Sequence, residues 1–135
     1  TRHILARMEA CQVEPSSVTF ELLMRCFMVR KDWQGARNLF EHLLAQHAHL
    51  IHPVHRNMHL SALLHLGASE DEINTALNAM RSRRCPVNTL NAERLAERGI
   101  RLPAGLYSLP HANRFRMGEG QAAKKVASFK DYQPN

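Results

Sequence analysis

Over most of the chain the apolar positions recur every three or four residues, the period of a helix that buries one face. Ile4, Leu5 and Met8 predict a first helix over residues 2–12, which stops before Pro15. Ser16 and Ser17 offer N-caps to a second, in which Phe20, Leu23, Met24 and Phe27 form a stripe running to about Val29. Asp32 can cap a third from about Trp33 to Gln46, with Ala36, Leu39, Phe40 and Leu43 facing inward. Only Arg30 to Asp32 separate the second and third helices, and so short a connection folds them back on each other as an antiparallel hairpin.

A fourth helix is predicted after Pro53, carrying Met58, Ala62, Leu63 and Leu66 until Gly67 stops it. Ser69 and Glu72 have the spacing of a capping box, in which hydroxyl and carboxylate each satisfy an orphan amide. Ile73, Ala76, Leu77 and Met80 then share one face of a fifth helix. Pro86 breaks the pattern, and a shorter helix over residues 89–98, with Leu90, Ala92 and Leu95 inward, ends at Gly99. From there periodicity fades. Residues 99–135 hold Pro103, Pro110 and Pro134 and four glycines, which predicts an extended or wrapping tail with a short helix over residues 121–129. The expected fold is therefore all-α, a helical unit over residues 1–98 followed by a tail over 99–135.

Composition agrees with that picture: 44% apolar residues can build one modest core, and 6% aromatic residues favour helices packed on aliphatic side chains. Charge adds something the pattern does not show. The net charge is +6 and the pI near 9.8, which makes a polyanion the first partner to consider. Residues 1–80 carry seven Lys/Arg against eight Asp/Glu, and residues 81–135 carry eleven against four, so all of the excess lies after Met80. Arg81, Arg83, Arg84, Arg94, Arg98, Arg101, Arg114, Arg116, Lys124, Lys125 and Lys130 form this set, with Tyr107 and Phe115 interleaved. Guanidinium groups fork onto phosphate oxygens and aromatic rings stack on bases, so the set is a candidate for RNA contact. Arg81, Arg83 and Arg84 can also complement the negative end of the fifth helix.

Other chemistries find less support. Seven of nine histidines, His42, His47, His49, His52, His55, His59 and His65, fall within 24 residues. His55 and His59 have the spacing that places two imidazoles on one helical face, but no Cys or HExxH motif accompanies them, so the segment reads as surface or interface histidines and no metal is expected. Trp33 and Phe20 read as core. Cys11, Cys26 and Cys85 form no CxxC pair, which argues against a disulfide framework and for a reducing compartment. The chain lacks a Gly-rich phosphate loop, a GxSxG elbow and a Cys–His or paired-carboxylate arrangement, so neither an enzymatic activity nor a cofactor or small-molecule substrate is expected. No apolar run reaches the roughly 18 residues an integral membrane helix requires. A helical pattern opening at Thr1 suggests a processed N-terminus.

A period of 35 residues relates the first and third helices: Ile4, Leu5 and Met8 recur as Leu39, Phe40 and Leu43. Repetition of this kind lets each helical hairpin cover the apolar face of the next. The stretch Val18-Thr-Phe-Glu-Leu-Leu-Met24, followed by Trp33-Gln-Gly-Ala36-Arg-Asn-Leu39-Phe40-Glu41, resembles the pentatricopeptide repeat, and Met8 to Pro15 resembles the end of a preceding copy. The likeness covers residues 2–51, with a degenerate copy over residues 54–82. It implies a short right-handed α-solenoid working with RNA, usually in mitochondria or chloroplasts. Members that read bases do so with small polar side chains at positions that here hold Glu21 and Ile51, so the resemblance implies a docking scaffold more than a base reader. The function expected is a structural component of a ribonucleoprotein in the mitochondrial matrix, with the mitochondrial ribosome or its assembly intermediate the best guess, contacting rRNA and neighbouring protein subunits. The alternatives are an RNA-processing or editing accessory factor and a protein-binding helical adaptor of another mitochondrial complex.

Overall fold

The computed structural model of the chain describes residues 2–108, and these form six α-helices: α1 (Arg2–Ala10), α2 (Ser17–Val29), α3 (Trp33–Gln46), α4 (Pro53–Leu66), α5 (Glu70–Ser82) and α6 (Thr89–Glu97). Their boundaries follow local chemistry. Ser16 caps α2, its Oγ accepting the Thr19 amide at 3.2 Å, while its own amide donates to Thr19 Oγ1 at 3.1 Å. Asp32 accepts the Gly35 amide at 2.9 Å, Ser69 the Glu72 amide at 3.2 Å, and Asn88 the Asn91 amide at 2.8 Å. Pro53 occupies the first turn of α4, where its missing N–H costs nothing, and Gly67 ends that helix in the left-handed region at φ 71°. The segment predicted as a short connector is Arg30 to Asp32, with Lys31 turning the chain at φ 60°. Gly35 is required by close approach: a Cβ there would run into the Phe27 ring and Asp32 Oδ2.

α4 is the central helix, packed against α2, α3, α5 and α6. Two apolar clusters result. Phe20, Leu23, Met24, Leu39, Phe40 and Leu43 form one between α2 and α3. Leu60, Leu63, Ile73, Leu77, Met80, Val87 and Leu95 dominate the other, among α4, α5 and α6. Each fully buried leucine or phenylalanine contributes about 1.5–3 kcal/mol relative to exposure, so these two clusters carry most of the hydrophobic driving force.

Three expectations change. Leu90 is 52% exposed, and Asn91 takes the inward position on α6. Ile4 is likewise exposed at 49%, so α1 contributes Leu5, not a full stripe, to the first cluster. The region after Gly99 does not depart at once: Ile100 and Leu106 are buried in the second cluster with Leu102 against it, and the Val87 amide donates to the Tyr107 carbonyl at 3.0 Å. The packed unit thus extends about ten residues beyond the predicted boundary, because Leu95, Ile100 and Leu106 cover one another without helical period. The predicted helix over residues 121–129 lies outside the described residues.

Candidate nucleic-acid interface

The basic residues named from the sequence separate into two groups along α4. Arg94 donates to Ser61 Oγ at 3.2 Å, and Arg98 donates to the Ala68 carbonyl at 2.9 Å, both beside the C-terminal half of α4. These two guanidiniums tie α6 to α4, so part of their hydrogen-bonding capacity is already committed. Arg81, Arg83 and Arg84 stand at the C-terminal end of α5, which the antiparallel α4–α5 pairing places beside the N-terminal end of α4. Arg81 reaches the Ala104 carbonyl at 3.4 Å, not a carbonyl of its own helix. Arg83 caps α5 through its backbone, and its side chain is exposed. Arg84 is exposed and left-handed at φ 53°, a conformation that costs an L-residue about 1 kcal/mol or more. Arg101 is exposed after α6. Arg114, Arg116, Lys124, Lys125, Lys130 and Phe115 lie outside the described residues.

Arg56, absent from the set read along the chain, joins the second group. It lies on the fourth residue of α4, half-buried, with its guanidinium carbon 5.9 Å from the centre of the Phe40 ring. Burial and the nearby Arg83 both lower its pKa. Among the described residues no carboxylate pairs with Arg56, Arg83, Arg84 or Arg101, whereas Arg25 pairs with Glu21 and Arg37 with both Glu41 and Glu72. Three of the eight acidic side chains of the first half, Glu21, Glu41 and Glu72, are thus paired with its own arginines. Tyr107, 57% exposed, is held to the same end by its bond to Val87.

The histidine-rich segment is resolved into structural roles. His59 stacks on Phe40 with centroids 4.1 Å apart and planes 14° apart, and His65 stacks on Trp33 at 3.9 Å and 15°. Two rings of α3 therefore meet two imidazoles of α4 along one seam. His59 has its pKa lowered to about 4, first by burial and then by the charges of Arg37 and Arg56. His55 is fully buried: its Nδ1 accepts the His52 amide at 2.9 Å, which leaves Nε2 to donate to the Ser17 carbonyl at 3.0 Å. With both nitrogens engaged, His55 has no lone pair for a metal, and among the described residues no group of three His, Cys, Asp or Glu side chains could hold one. Trp33, expected in the core, is half-buried and owes its place to His65. Phe20 is wholly buried as expected, with His47 tilted against it at 5.2 Å.

Glu21 is held by Arg25 at 2.8 Å, and Ile51 packs against the first apolar cluster. Neither offers a free donor to a base. All three cysteines are free thiols. Among the described residues no helix is long and apolar enough to cross a membrane. Comparison with protein-family models, with curated proteins and with solved structures finds no match to this chain, so the repeat resemblance rests on residues 2–51 themselves.

Proposed function

We propose that this chain is a non-catalytic, pentatricopeptide-like scaffold in a mitochondrial ribonucleoprotein, with the mitochondrial ribosome or an assembly intermediate as the leading candidate. The observation that carries the reading is the partition of charge. Before Met80 seven basic residues face eight acidic ones, and after it eleven face four, while the ion pairs found at Glu21, Glu41 and Glu72 all lie in the first part. A helical body that neutralises its own charge and carries an unneutralised basic segment suits docking through the body and RNA contact through the segment. Val18, Leu22 and Val29 support the docking half: they fall within about 40° of one another around α2 at 100° per residue, and all three are more than half exposed.

Sedimentation of the tagged chain from a mitochondrial lysate tests this. It is expected in a large particle that nuclease treatment disperses; recovery as a free protein, or outside the organelle, contradicts it. A protein-binding adaptor is the second reading, favoured by the same exposed stripe on α2. In that case the particle survives nuclease and crosslinks join the chain to protein alone.

A further inference from the structure

Arg56 stands out among the basic residues because folding brings it to a costly place. A half-buried guanidinium loses hydration, and a neighbouring guanidinium adds repulsion, so such a group is normally matched by a carboxylate. Among the described residues no carboxylate pairs with Arg56, although Glu41 and Glu72 lie on the two flanking helices; both are taken by Arg37. The Phe40 ring, 5.9 Å from the guanidinium carbon, supports one side of the group but supplies no anion. Arg83, the C-cap of α5, lies at the same end of the hairpin, near enough for its charge to act on Arg56, and the next residue, Arg84, holds the left-handed turn at φ 53° in a position that favours glycine. Three exposed or half-exposed guanidiniums thus share one end of the α4–α5 hairpin without a carboxylate partner among the described residues; the other titratable group acting on Arg56 is the Cys85 thiol, whose own pKa burial raises.

We infer that Arg56 and Arg83 form a phosphate-binding site at the end of the α4–α5 hairpin, and that the phosphate is a backbone phosphodiester of a single-stranded RNA. The RNA source rests on the ribonucleoprotein reading; the site itself rests on the two guanidiniums. An oxyanion between them would accept from both, relieve their repulsion and exclude water from the Phe40 side.

Two readouts test it in the full chain. In the absence of ligand, Arg56→Met is expected to melt at the same temperature as the parent or higher, since it removes an unmatched buried charge while keeping apolar contact with Phe40. A merely structural arginine would give a lower melting temperature, and that result would overturn the proposal. Binding of a fluorescent single-stranded RNA dodecamer, followed over a range of salt, is expected to weaken about tenfold in Arg56→Met and in Arg83→Met, each reducing the salt slope by about 1. Arg25→Met, which removes a paired arginine of α2, is expected to leave both unchanged. Equal losses in all three variants would mean diffuse charge only and would overturn the site. Tripolyphosphate separates the two layers: stabilisation of the parent but not of Arg56→Met, with no RNA binding, keeps the phosphate site and removes RNA as its source. No response to tripolyphosphate and no RNA binding overturns both.

Discussion

The two faces of α4 are joined to their neighbours by different chemistry. Toward α3 the seam is built of rings, with His59 on Phe40 and His65 on Trp33. Toward α6 it is built of amides and guanidiniums: Asn57 Nδ2 donates to the carbonyls of Pro53 and Pro86, both at 3.1 Å, and its Oδ1 accepts the Asn88 amide at 2.8 Å. Asn91 Nδ2 donates to the Asn57 carbonyl at 2.8 Å, and Arg98 closes the far end on Ala68. The first seam contains His59, whose pKa is lowered to about 4, and the second is built mainly on amides and guanidiniums, with Arg94 also meeting His65 Nδ1 at 3.5 Å. One helix thus carries a buried, low-pKa imidazole on one side and a network of amides and guanidiniums on the other, and the basic end described above sits where both begin.

The largest effect is expected from Phe40→Ala, which removes the ring shared by the α2–α3 cluster, His59 and Arg56. Loss of about 3–5 kcal/mol in urea unfolding is expected. A loss below about 1 kcal/mol would mean that the ring seam holds little. On the other side, Asn57→Ala removes the acceptor of the Asn88 amide and the donor to the Pro86 carbonyl, while its backbone carbonyl still receives Asn91 Nδ2, and should cost about 2–3 kcal/mol. If that variant matched the parent, the amide seam would be ornamental.

Acid distinguishes the seams directly. His59 is held at a pKa of about 4 in the folded chain against 6.5 when unfolded, so between these values the unfolded state binds more protons. Stability from this group is therefore complete above pH 6.5 and falls as pH drops toward 4, by roughly 2–3 kcal/mol in all. His59→Phe keeps a ring on Phe40 and removes the titration, so its unfolding free energy should be flatter across that window. An unchanged slope would place the acid sensitivity elsewhere.

How much of this was legible in the sequence differs along the same divide. The caps at Ser16, Asp32 and Ser69 and the stops at Gly67 and Gly99 are local signals, acting within one turn, and the structure keeps them. Leu90 and Asn91 reversed their expected roles because the inward place on α6 is decided by Asn57, 34 positions away, whose carbonyl satisfies a buried amide that periodicity would send to solvent. Arg56 escaped notice for a related reason. Along the chain it sits among histidines in a neutral stretch, and only the antiparallel pairing of α4 and α5 brings it to Arg83. Residues 99–108 lacked a period to read because they pack by returning across Val87, not by repeating a face.

The central claim is that RNA meets the basic segment after Met80 and not the repeat-like surface of α2. Ultraviolet crosslinking of the chain in its native particle, followed by mass spectrometry of the RNA-linked peptides, measures this most directly. Crosslinked peptides are expected from the end of α5 onward, with Tyr107 a favoured site, and from the turn of α4 that bears Arg56. Crosslinks confined to Ser17–Val29, around Glu21, would contradict the account.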